Sequence, residues 1–145
     1  MHTLLPTFQR RADLILHGQI DLAVDGYMTP FWCRFRGQFF HIATREELWE
    51  MLSRQHLSQM ARGIVRIVGE MEEAVSLAHG ALRVTVHWQE TSDTRGGDTA
   101  RWFRTVYVCR QAQDALRVVG LTLTETRRVS EPFLPRVFPS PCEDW

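Results

Sequence analysis

Apolar positions change period along this chain, from helical spacing in the first third to strand alternation in the rest. Between Pro6 and His17, residues Phe8, Ala12, Ile15 and Leu16 fall on one side at spacings of three and four. This predicts a helix with proline in its first turn, where a missing N–H costs nothing, and Gly18 as its stop. A second, shorter helix is predicted from Asp21 to Tyr27, with Asp21 favouring its start and Gly26 and Pro30 bracketing its exit. From Pro30 to Ala43 aromatics alternate with arginine around Gly37-Gln38, which predicts two strands joined by a tight turn. In the first of them Phe31, Cys33 and Phe35 share one face, and Trp32, Arg34 and Arg36 the other.

Thr44-Arg45-Glu46-Glu47 reads as a capping box, in which the Thr44 hydroxyl accepts from the Glu47 N–H and Glu47 reaches back. The helix it starts runs to about Arg62, with Gly63 as its stop. Along it Trp49, Leu52, His56 and Met60 form a stripe at spacings of three and four, with Leu48 and Met51 flanking, predicted to face inward. Strands follow: Ile64 to Ala78, interrupted near Glu72-Glu73; Ala81 to Thr91, with Leu82, Val84, Val86 and Trp88 on one face; and Thr99 to Arg110. The last, Leu116 to Val129, sets Val119, Leu121 and Leu123 opposite Val118, Thr122 and Thr124. Ser92 to Asp98 and Gln111 to Ala115 are the connecting turns, and the tail from Glu131 is extended by its four prolines.

Helices first, then a long meander, define an α+β class: a curved, mainly antiparallel sheet wrapped around three N-terminal helices. At 145 residues the chain is one domain, with a core over about 8–129 and an extended tail over 130–145. Its 17 basic residues are all arginine and are balanced by 17 acids. The balance holds segment by segment, leaving no surface to track phosphates, so nucleic acid is excluded as a partner. No apolar run spans a bilayer and the N-terminal stretch lacks a signal peptide's apolar core, so no membrane association is expected. Cys33, Cys109 and Cys142 form no C-x-x-C pair, which fits a reducing, cytoplasmic setting.

Several segments together resemble the nuclear-transport-factor-2-like superfamily, which includes SnoaL-like polyketide cyclases, ketosteroid isomerase and scytalone dehydratase. They are HGQIDLAVDGY before the aromatic strand pair, TREELWEML before the meander, and Arg104, Tyr107 and Arg110 before QAQDALRV. The resemblance covers roughly Phe8 to Val129 and implies a cone-like α+β barrel with an internal pocket, commonly a homodimer packed through its sheet. Ketosteroid isomerase places its base carboxylate where this chain has Phe35 or Arg34, and its donating acid where this chain has Val106 or Tyr107. Neither position is acidic, so that proton-transfer mechanism is not supported. The Asp–Arg–Asp set of limonene-epoxide hydrolases is also not evident, since the strand of Arg104 lacks an Asp partner.

The catalytic residues are not identified by the sequence; the candidates are His56, Tyr107 and Arg104. His56 on the inward stripe is either an acid–base group near neutral pH or a hydrogen-bonded wall residue. Arg104 and Tyr107 lie on opposite faces of one strand. Arg104 would bind an anion or pair with Glu90 or Glu125, and Val106 and Val108 beside it favour its face as the inner one. Tyr107 would donate from its hydroxyl or pack with that group satisfied. The expected ligand pocket comprises Tyr27, Phe35, Trp49, Leu52, His56, Trp88 and Arg104. No metal spacing occurs and no cofactor is expected. Buried cysteines in strands read as small hydrophobes. The leading functional reading is a pocket for a small apolar or aromatic ligand. The alternatives are a cyclase-, dehydratase- or isomerase-type enzyme using His56 with a tyrosine or arginine, and an interaction module whose pocket is filled by Trp49, Trp88 and Trp102. Later strands apolar on both faces, as at Val118-Val119, predict a homodimer through the sheet's outer face.

Overall fold

The structure, a computed structural model, describes residues 4–93, 101–113 and 115–126. Most of the loop expected from Ser92 to Asp98, the Pro-rich tail and Cys142 lie outside the described residues. The elements are α1 (Leu4–Leu16), α2 (Ile20–Ala23), β1 (Tyr27–Phe35), β2 (Gln38–Ile42), α3 (Arg45–Ala61), β3 (Ile64–Ser76), β4 (Ala81–Ser92), β5 (Arg101–Ala112) and β6 (Ala115–Thr126). Six strands make one sheet in the order β2-β1-β6-β5-β4-β3. All its pairings are antiparallel except β1 with β6, which run parallel. The α+β expectation of three N-terminal helices on a mainly antiparallel sheet is met. No helix of the described residues is long and apolar enough to cross a membrane.

Local chemistry sets the boundaries. α1 ends at Gly18, whose φ of +76° suits glycine and lets the Gly18 and Gln19 N–H groups cap the carbonyls of Ile15 and Leu14. The predicted second helix is shorter than expected: after Ala23 the chain tightens into a 3-10 turn over Val24–Gly26, and Tyr27 opens a strand. Asp21 does not cap it; its carboxylate accepts from the Trp49 indole N–H at 2.9 Å. The Thr44 cap forms as read, with Oγ1 accepting from the Glu47 N–H at 3.2 Å. Glu47 reaches one residue further back than a standard box, to the Ala43 N–H at 3.4 Å. β1 and β2 turn through Arg36-Gly37, both at positive φ, as a two-residue hairpin demands.

Strand irregularities decide which faces look inward. A bulge between Met71 and Glu73 interrupts β3 where the glutamate pair stands. A second, opposite Val108-Cys109, makes Val119 an extra residue in β6. It overturns the expected alternation: Val118 joins Leu121 and Leu123 in the core. The inner sheet face comprises Phe31, Cys33 and Phe35 on β1, Val84, Val86 and Trp88 on β4, and their β5 partners Tyr107, Thr105 and Phe103. At this size a single core of such residues suffices without disulfide staples.

Two polar devices join helices to the sheet. β3 is an edge strand, and the Gln9 side-chain amide completes it from α1: its Nε2 donates to the Ile67 carbonyl at 2.8 Å and its Oε1 accepts from the Gly69 N–H at 2.9 Å. At the end of α3, Arg62 donates to both carboxylate oxygens of buried Glu90, at 2.7 and 3.2 Å, and Gln59 donates to the same group at 3.2 Å. A fully buried glutamine thus takes the inward position that the hydrophobic pattern assigned to its neighbour Met60. The inner stripe of α3 is Leu48, Met51, Leu52 and Gln59, whereas Trp49 and Met60 are exposed. One residue is about 100° around a helix, so the buried stripe is turned from the predicted one toward Leu48 and Met51, and Gln59 in it meets Glu90.

Candidate functional site

A small cavity of about 40 Å³ lies between α1 and the inner sheet face. From α1 come Phe8, Arg11, Ala12 and Ile15, successive members of one helical face. The sheet contributes Tyr27 at the start of β1, Trp88 from β4, and Phe103, Thr105 and Tyr107 from alternate positions of β5. Ile67, Leu121 and Leu123 complete the apolar wall, and Gln55 reaches in from α3.

The aromatic wall is tied together. Phe8 lies against Tyr107, ring centroids 4.6 Å apart, and Tyr27 meets Phe31 edge-on at 5.5 Å. The Trp88 indole N–H donates to the Tyr107 hydroxyl at 3.0 Å. Burial pushes the Tyr27 phenol up to about 12 and also raises that of Tyr107. Both remain neutral at physiological pH and hold their protons for donation. The Cys109 thiol, buried on the same face, is likewise pushed up to about 11, which removes it as a nucleophile.

Arg11 is the residue that the sequence reading passed over. Its side chain is nine-tenths buried, with its guanidinium 5.3 Å from the centre of the Phe8 ring. One terminal nitrogen, Nη2, donates to the Leu116 carbonyl; the other, Nη1, is buried without a hydrogen-bond partner. Gly26 makes room for it, since a Cβ there would lie 2.4 Å from Arg11 Nε. The signal was present: Arg11 stands three residues after Phe8 and four before Ile15, within the apolar stripe of α1.

Of the expected pocket residues, Tyr27 and Trp88 line this cavity together with the candidate Tyr107. The others stand elsewhere. His56 lies between α1 and α3: its Nδ1 donates to the Leu16 carbonyl at 3.1 Å and its ring covers Gly18. Trp49 is exposed, while Leu52 and Phe35 are core residues outside the cavity wall. Arg104 is on the outer face, its Nε 3.1 Å from Glu72, which also meets His87 at 3.4 Å. The inner face of β5 is therefore that of Tyr107, not that of Arg104, Val106 and Val108. These valines cover an outer surface and carry no information about the helices. Arg104 and His87 hold the exposed Glu72 carboxyl below its usual range.

Chemically the cavity wall offers donors and a fixed cation: the guanidinium, two phenols, the Thr105 hydroxyl and the Gln55 amide. Among the described residues it contains no Asp, Glu, His, Lys or Cys.

No protein-family model and no curated protein matches the sequence. Solved structures do. A nuclear-transport-factor-2-like protein with a cystatin-like fold from Novosphingobium aromaticivorans superposes with a TM-score of 0.64 at 13% identity, covering 84% of this chain and 79% of the other. ActVI-ORFA from Streptomyces coelicolor gives 0.64 at 12% identity, over 84% of this chain and 93% of that one. A ketosteroid isomerase-like protein from Erwinia carotovora atroseptica gives 0.61 at 13%, over 88% and 100%. At these identities the likeness is one of fold.

Proposed function

We propose that this chain, which has the nuclear-transport-factor-2-like fold, binds a small organic ligand in the cavity beneath α1 and acts by binding rather than by proton transfer. The observation that carries the reading is the composition of the wall: aromatic rings and neutral donors around one cation, with no base. The rings suit an apolar or aromatic ligand. The volume of about 40 Å³ holds roughly three or four heavy atoms, at about 10–15 Å³ for each water-sized occupant. A six-membered ring therefore requires the wall to yield, and compact ligands fit first.

The enzymatic alternative has less support, because His56 is spent on the Leu16 carbonyl and Arg104 on Glu72. We also propose that two copies associate through the outer sheet face. That reading is supported by the Trp32–Phe39 stack, ring centroids 6.0 Å apart, and by the exposure of Phe39 and Val68 on that side. A reducing, cytoplasmic setting is supported by Cys109, which is a buried thiol.

The test is an amide and indole NMR titration with isopropanol, whose four heavy atoms match the volume, and with phenol, which requires the wall to yield. Binding at the site should shift the Trp88 indole signal and the amides of Tyr27 and Tyr107 before any others. Shifts scattered over the outer surface, with those three unmoved by either probe, would overturn the reading.

A further inference from the structure

We propose that the group which completes this cavity is a carboxylate, held by the guanidinium of Arg11, so that the ligand is a short-chain carboxylic acid in its anionic form. The proposal rests on the reading of the cavity as a binding site and gives that site its ligand class.

A buried cation normally has a buried counter-ion, because removing a charge from water costs several kcal/mol unless another charge or several hydrogen bonds replace the water. Arg62 obeys this rule with Glu90. Arg11 does not: among the described residues it forms no ion pair. Its compensation is one backbone carbonyl and the face of Phe8, and Nη1 is left as an unsatisfied buried donor.

The remaining polar groups suit the same ligand. Tyr27 and Tyr107 lie within electrostatic range of Arg11 and are neutral hydroxyls. The Tyr107 hydroxyl accepts from Trp88 and also bonds the Thr105 hydroxyl, so these two side chains present one linked pair of hydroxyls on the cavity wall. An anion with two acceptor oxygens matches a guanidinium edge and a phenol; a cation or a pure donor matches neither. No wall residue repels negative charge. Size narrows the class further: acetate has four heavy atoms, the number that about 40 Å³ admits. Phe8, Ile15 and Leu123 would then meet the alkyl end.

The experiment compares acetate with acetamide, the same shape without charge, by NMR titration of the whole chain at pH 7 in low-salt buffer. Acetate should bind at least tenfold more tightly than acetamide and shift the Trp88 indole and Tyr107 signals. In Arg11→Met, acetate should lose that advantage; in Arg11→Lys, which keeps the charge, part of it should remain. Equal binding of the two probes at the cavity, or an acetate preference that survives Arg11→Met, overturns the carboxylate assignment and leaves the cavity reading standing. If neither of these, nor isopropanol or phenol, shifts the cavity signals at tens of millimolar, both readings fall together. Should Arg11→Met fail to fold, the wild-type comparison still decides.

Discussion

Gly69→Ala tests whether the cavity wall is built as described. Gly69 pairs across the sheet with Trp88, and a Cβ at that position would lie 2.6 Å from Cζ3 of the indole and 2.9 Å from Cε3. Carbon atoms pack at about 3.5–4.0 Å, so the ring or the strand must yield by about 1 Å. The ring has little room to move: Trp88 is 2% exposed, its N–H is held by Tyr107, and the cavity beside it is only about 40 Å³. Overpacking of a filled core costs about 1–3 kcal/mol, and a boxed-in indole belongs at the upper end. Weakening the bond to Tyr107 adds about 1 kcal/mol. The stiffer unfolded chain returns about 0.4–1 kcal/mol. The net is a loss of about 2–3 kcal/mol, a large share of a stability of about 5–15 kcal/mol. For a chain of this length it should lower Tm by roughly 6–12 °C. Urea denaturation and a thermal scan, both followed by tryptophan fluorescence, measure the change. The same substitution in a Trp88→Leu background should cost under about 0.5 kcal/mol, because the colliding ring is gone. A neutral or stabilising Gly69→Ala, or an undiminished cost in the Trp88→Leu background, would refute the packing described.

The remaining predictions concern charge, pH and assembly. Glu90→Gln should destabilise by about 2–3 kcal/mol in urea, less than for a fully enclosed pair because Arg62 keeps 25% of its side chain in water. Tyr27, whose phenol rises from 10.0 to about 12 on folding, contributes stability that is intact below pH 10 and lost as pH climbs from 10 to 12. That loss is about 3 kcal/mol at about 1.4 kcal/mol per unit, and Tyr27→Phe should flatten the alkaline limb of the stability profile. His56→Ala should lower Tm by a few degrees yet leave acetate affinity within about twofold, since the ring supports α1 and not the cavity. Light scattering at micromolar concentration should give twice the chain mass, and Phe39→Glu on the outer face should reduce it to one.

The elements were legible where one residue acts on its own neighbours. Gly18 and Gly63 stop helices through their own φ, Thr44 caps through its own hydroxyl, and the Glu72-Glu73 break appears as a bulge. A smaller part of the site was legible: of the seven expected pocket residues Tyr27 and Trp88 line the cavity, Trp88 on a strand that pairs with β5 without a register shift. The class of fold followed from the order of such local signals.

What only the tertiary structure decided was which of two equally apolar faces looks inward, because a hydrophobic pattern records burial without naming the partner. The face of Arg104 carries two valines and that of Tyr107 carries Phe103 and Thr105, yet the second one meets α1. The extra residue at Val119 shifts an alternation with nothing in its own side chain to announce it. On α3 the buried position went to Gln59, which donates to Glu90 thirty-one residues away, and Met60 was left exposed. Arg11 reads as a polar break in a helix until Gly26 and Leu116, brought beside it by the chain's return, turn it into a buried cation facing a cavity.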